Sequence, residues 1–140
     1  MPEPSAQADH RLALRVVTLP RDTNPYGTIF GGVVLSWIDQ AGFVEASRHG
    51  RHRWVTAAMD RVEFVAPVLV GDIVSLLTRT VRTGTTSVTV QVAVDAERRH
   101  SGACVRVTGA TLTMVAVDAE GRPIPFAGPP TIGAPGEGAP

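Results

Sequence analysis

The segment Asp22-Thr23-Asn24-Pro25-Tyr26-Gly27-Thr28-Ile29-Phe30-Gly31-Gly32, running on through residues 33–49, decides the fold. A polar turn and a double glycine open a proline-free run in which Val34, Leu35, Trp37, Ile38, Ala41 and Phe43 are apolar and Asp39 sits near mid-length. The pattern predicts a helix from Gly31 or Gly32 to about His49. Asn24-Pro25 turns the preceding backbone away from helical angles. Gly50 supplies a left-handed C-terminal cap, and Arg48 and His49 suit the negative end of the helix dipole. A helix this apolar has to be enclosed. A carboxylate inside such an enclosure is costly unless it is used or paired, so Asp39 is the first candidate for chemistry. The bland alternative is an acid bonded to a neighbouring turn or to an arginine across an interface.

Outward from the helix the period changes to two. Residues 11–19 read as a strand closed by Pro20, and residues 54–64 as another closed by Pro67. Gly71-Asp72 turns into a strand over 73–82, and Thr83-Gly84-Thr85 makes a tight hairpin. In the next strand Val88, Val90, Val92 and Val94 alternate with Thr89, Gln91, Ala93 and Asp95, the mark of one buried face. Ser101-Gly102 then leads to a long strand over 103–117. Short turns predict that consecutive strands are antiparallel neighbours. One long apolar helix plus an antiparallel sheet predicts an α+β fold with the sheet wrapped round the helix. A single sheet seldom covers such a helix completely, so the remainder calls for at least a dimer. Residues 1–10 are read as flexible, 11–126 as one domain, and the Gly/Pro-rich 127–140 as a disordered tail.

Bulk composition narrows the function. With 140 residues, 44% hydrophobic and 19% charged, the chain has the make-up of a globular domain. Zero net charge gives no electrostatic footprint for nucleic acid or an anionic membrane. All 13 basic residues are arginine, which rules out lysine-dependent chemistry. Cys104 is the only cysteine, lies in a strand-like run, and reads as a structural thiol. The first ten residues lack the basic and apolar regions of a signal peptide, and a cytoplasmic location is the expectation. None of the four histidines pairs with an acid or cysteine at metal-ligand spacing. All four are read as surface residues, and no metal site is expected.

At about 100° per residue, Asp39 shares a helix face with Gly32, Leu35, Ser36, Gly42, Phe43 and Ala46, a narrow trough holding an acid. Gly31 and Gly32 lie about two turns earlier, roughly 12 Å along the axis. Unpaired N–H groups there carry the positive end of the dipole and suit an oxygen that gains negative charge. The acid and the amides of one helix are too far apart to grip one small reacting group. Joint action requires the acid of one subunit to meet the helix start of another. By itself the double glycine fits close packing against a strand equally well.

Taken together, residues 23–32 and Leu35-Ser36-Trp37-Ile38-Asp39-Gln40-Ala41-Gly42 strongly resemble the acyl-CoA hydrolase family of hotdog-fold thioesterases. Three later stretches do too: Phe64-Val65-Ala66-Pro67-Val68-Leu69-Val70-Gly71-Asp72, Arg82-Thr83-Gly84-Thr85-Thr86-Ser87, and Met114-Val115-Ala116-Val117-Asp118 with Gly121-Arg122. The resemblance runs from about Leu12 to Pro125, with its motifs in order. It implies a hotdog fold pairing as a double hotdog, in a homo-oligomer built from dimers, hexamer or tetramer. The implied reaction is hydrolysis of an acyl-CoA to free acid and coenzyme A, within fatty acid metabolism, with no cofactor beyond the CoA of the substrate. Asp39 matches the family's catalytic acid, as general base or nucleophile. Asn24 matches the loop asparagine that helps set the site, and Gly31 and Gly32 the amides that polarise the thioester carbonyl. Arg82, Gly84, Thr85, Thr86 and Ser87 match a segment near the CoA phosphates, though an ordinary hairpin turn explains them as well. Thr56 matches a position near the acyl group or thioester. No histidine lies between residues 11 and 48, unlike the dehydratase branch of the fold, and Phe30 precedes Gly31-Gly32 where a related thioesterase branch has histidine. The readings kept beside hydrolysis are a non-catalytic acyl-CoA binding or sensing protein, and a thioesterase acting on acyl carrier protein or on an aromatic acyl-CoA.

Overall fold

The computed structural model describes residues 9–133. Within them the chain forms strand β1 (Arg11–Val17), helix α1 (Gly31–Ser47), and strands β2 (Arg53–Phe64), β3 (Ile73–Thr83), β4 (Ser87–Glu97) and β5 (Cys104–Val117). All strand pairs are antiparallel, in one sheet of order β1-β3-β4-β5-β2. The expected elements are therefore present, within about two residues at each end.

Strand order corrects one expectation. β2 and β3 follow each other in sequence but lie on opposite sides of the β4–β5 pair. Residues 65–72 are a crossing rather than a hairpin turn. The Val65 N–H bonds the Val107 carbonyl on β5, and the Thr18 N–H bonds the Asp72 carbonyl just before β3. The crossing leaves β1 and β2 as the two edges. β1 is short, bulged at Leu12/Leu14, and carries Arg11 and Arg15, features that discourage strand addition. β2 is 12 residues long and largely exposed.

The helix lies on the sheet with Val34, Ile38, Ala41, Gly42, Glu45 and Ala46 buried. Below them Val74, Leu76, Val88, Val90, Val92, Val94, Leu112 and Met114 form the inward row of the period-two strands. Burying each such aliphatic side chain contributes roughly 1.5–3 kcal/mol. Contact is closest at Gly42, where an added Cβ would come within 2.8 Å of a Leu112 methyl. Gly42 and Ala46 thus pack on the sheet, and only part of the expected trough faces outward. Gly31, Gly32, Ser36, Asp39, Gln40 and Phe43 lie on the open side.

Residues just inside the described ends make contacts with the domain. Asp9 pairs with Arg79 at 3.0 Å. Inside the stretch expected to be a disordered tail, the N–H groups of Thr131 and Ile132 reach the Arg51 carbonyl. Residues 1–8 and 134–140 lie outside the described residues.

Candidate active site

Asp39 is exposed in the single chain, which corrects the expectation of a buried acid. The reason is geometric: its side of α1 is the one its own sheet does not cover. One carboxylate oxygen, Oδ1, accepts a hydrogen bond of 2.5 Å from the Thr56 hydroxyl of β2. The same hydroxyl lies 3.4 Å from the Met114 sulfur. Asp39 stands at a cavity of about 550 Å³ whose other walls include Leu14, Phe43, Val44, Trp54 and Met114. A carboxylate fixed through one oxygen at the edge of an apolar hollow is placed to take a proton from water, or to attack, with the other. Thr56, named from resemblance alone, is thus brought to the acid.

The helix start forms a separate feature. Phe30 is its N-cap and offers no side-chain bond. The first N–H groups turned back onto the Phe30 carbonyl are those of Val33 and Val34. Gly31 and Gly32 are exposed, and a Cβ on Gly32 would meet nothing within 4 Å. Gly31 borders a second cavity of about 410 Å³, with Phe64, Val65, Pro67 and Val68 among its walls. Asp39 does not line it. Asp39 and Gly31 therefore border different cavities of one chain.

Asn24 is occupied within its own loop. Its Oδ1 accepts the N–H groups of Tyr26 at 2.8 Å and Thr28 at 3.1 Å, while Nδ2 donates to the Thr28 hydroxyl at 2.7 Å. This short-range clasp holds the turn that feeds α1, and Asn24 acts on the shape of the helix mouth. The hairpin between β3 and β4 closes with the Gly84 N–H on the Ser87 carbonyl at 2.8 Å. Arg82, Gly84 and Thr85 are exposed, and Thr86 and Ser87 half-buried. None of the five lines the Asp39 cavity.

Helix α1 holds a second acid, Glu45, six residues beyond Asp39. Glu45 is buried and accepts bonds from Thr78 (2.9 Å), Thr80 (2.8 Å) and Arg48 (2.7 Å), with Arg11 at 3.6 Å. Burial pushes its pKa up, but those hydroxyls and cations outweigh burial and hold it below the usual carboxylate range. The sequence signal is the pair Thr78 and Thr80, two residues apart in β3 and so on one face of the strand. The histidine reading also needs correction. His52 is buried, with Nε2 2.8 Å from the Phe126 carbonyl and Nδ1 2.8 Å from the Thr131 hydroxyl. His49 is half-buried, 2.8 Å from the Thr80 hydroxyl. His10 keeps a mostly enclosed ring, and His100 is exposed. Cys104 opens β5 and is half-buried. Among the described residues no cluster of His, Cys, Asp and Glu has a metal-binding arrangement, and no helix is long and apolar enough to cross a membrane.

Residues 26–103 match the model of the thioesterase superfamily. The acyl-CoA thioester hydrolase YciA of Escherichia coli is 39% identical over 115 residues, covering 80% of this chain and 87% of that protein. Among solved structures, a hexameric hotdog-fold thioesterase of Campylobacter jejuni is 43% identical, with a TM-score of 0.78 over 82% of this chain and 89% of that one. A hexameric broad-specificity acyl-coenzyme A thioesterase is 35% identical, with a TM-score of 0.80 over 86% of this chain and 83% of that one. The chain belongs to the thioesterase superfamily, among its hotdog-fold acyl-CoA thioester hydrolases.

Proposed function

We propose that this chain hydrolyses acyl-CoA thioesters to the free acid and coenzyme A in a site built from two copies of the chain. The observation that carries the proposal is the separation just described: Asp39 borders one cavity and Gly31 another. β2, the long exposed edge, carries Thr56 and runs beside Asp39. Pairing β2 with β2 of a second copy would extend the sheet across a twofold axis and bring the acid of each chain towards the helix start of the other. The hexameric assembly of the two structural relatives supports a homo-oligomer built from such dimers.

In this reading the free oxygen of Asp39 takes a proton from water as the water oxygen attacks the thioester carbon. The N–H groups of Gly31 and Gly32 hold the carbonyl oxygen while it is negative. The C–S bond then breaks, and the proton on Asp39 passes to the departing thiolate. Thr56 keeps the carboxylate turned towards the cavity. Direct attack by Asp39, giving an acyl anhydride that water then cleaves, uses the same groups. Arg82 and the turn at Gly84, Thr85, Thr86 and Ser87 are assigned to the CoA phosphates. A cytoplasmic setting is part of the same proposal, since a nucleotide thioester is too highly charged to cross a bilayer unaided.

The test is release of coenzyme A from short-, medium- and long-chain acyl-CoA by wild type and Asp39→Asn, with the Cys104 thiol subtracted where a thiol reagent is used. Wild-type turnover lost in the variant supports the proposal. Binding without release by wild type would replace it with an acyl-CoA binding protein, and preference for carrier-protein thioesters would change the substrate.

A further inference from the structure

Between Val117 and Ile132 the chain folds back on the domain. Pro123 bridges back to Val117, the Ile124 N–H bonds the Ala116 carbonyl, and the Phe126 N–H reaches the Thr85 carbonyl at 3.2 Å in the β3–β4 turn. His52 then takes the Phe126 carbonyl and the Thr131 hydroxyl, while Arg51 takes the N–H of Thr131. This strap seats the Phe126 ring against Trp54 (centroids 5.6 Å apart) and edge-on to His49 (5.8 Å). His52 stands edge-on to Trp54 at 6.1 Å. Trp54 is 5% exposed, and its indole N–H is tied to the Gly50 carbonyl at 3.0 Å. Trp54 also forms a wall of the Asp39 cavity and is the bulkiest side chain there.

Resting on the thioesterase reading above, we infer that Trp54 limits the length of the acyl chain this site accepts, and that the strap around Phe126 and Thr131 is the positioning element that keeps it there. A large, rigid side chain with its indole nitrogen anchored makes a fixed stop in an apolar hollow. Its backing comes from Phe126, the last residue read as domain, and from His52, which Thr131 of the stretch read as a tail holds in place. The same strap touches the β3–β4 turn through Thr85, so one segment braces the acyl wall and the turn assigned to the CoA phosphates.

The experiment is kcat and KM across the acyl-chain panel for Trp54→Ala, Trp54→Phe and Phe126→Ala, each checked for circular dichroism and assembly size, with Asp39→Asn alongside. Trp54→Ala is expected to raise the ratio of long- to short-chain kcat/KM by about tenfold, the low end of what a single methylene of apolar pocket decides. Phe126→Ala should move the ratio the same way by less, with the change in KM for long chains rather than in kcat for short ones. Should Trp54→Ala fail to fold, Trp54→Phe and Phe126→Ala decide the matter. Folded, fully assembled variants with the wild-type chain-length profile would overturn the inference. Asp39→Asn separates the two levels: an active variant sinks the catalytic reading, whereas an inactive one beside unchanged profiles sinks only the role of Trp54.

Discussion

Helix α1 carries two acids six residues apart, and their surroundings could hardly differ more. Glu45 faces the sheet, where two hydroxyls and two guanidiniums surround it. Asp39 faces away, with a single hydroxyl on one oxygen and an apolar cavity in front. A buried carboxylate with both oxygens hydrogen-bonded inside the protein has little to offer a substrate, and its work is to fix α1 against β1 and β3. A carboxylate with a free oxygen at a cavity is badly spent as structure. Exposure, which usually argues against a catalytic acid, here marks the side of the helix that a second copy is proposed to cover.

Activity and stability should therefore split cleanly between the two acids. The largest effect expected is on Asp39→Asn, with turnover down by about 10²–10⁴ and the unfolding midpoint close to wild type. Glu45→Gln should do the reverse. Denaturant unfolding should show a loss of roughly 2–3 kcal/mol, because Arg48 and the two threonines lose a charged partner, while activity of the folded protein persists. An inactive but stable Glu45→Gln would break the division.

The pH dependence of stability sharpens it. Because the folded-state pKa of Glu45 is depressed, its contribution is complete above the ordinary carboxylate pKa and is lost as pH falls through the lowered value. The acid limb of the wild-type stability curve should flatten in Glu45→Gln, measured by urea midpoints from neutral pH into the strongly acid range. The smallest effect belongs to Thr56→Val. Losing the hydroxyl that orients Asp39 should lower kcat by roughly tenfold, about 1.4 kcal/mol, and leave KM nearly unchanged.

Sequence patterning reached further into the elements than into their arrangement. The alternation of Val88 to Val94 with smaller or polar residues and the proline-free run after Gly32 leave little choice of element type, because period and length decide it locally. That β2 lies across the sheet from β3 depends on where residues 65–72 dock, and no local pattern records it. Asp39 and Thr56 are each legible as candidates in the sequence, yet their contact joins helix to strand and depends on the fold. The role of Glu45 is not legible in the sequence because Thr78, Thr80 and Arg11, which hold it, come from strands more than 30 residues away along the chain. The contact of His52 with Thr131 is not legible in composition, which describes how a segment behaves alone.

The central claim is that each site needs the acid of one chain and the helix-start amides of another. It can be tested by co-expressing two disabled chains, Asp39→Asn and Gly31→Pro. Proline suits the first helical position, and Phe30 before it is already extended (φ −54°, ψ 135°), so the second change removes an amide while keeping the helix. In random dimers half pair unlike chains, and each such dimer regains one intact site of two. The account predicts recovery of about a quarter of wild-type activity from two nearly inactive parents. Mixed oligomers, isolated through different tags, that stay as inactive as their parents would contradict it.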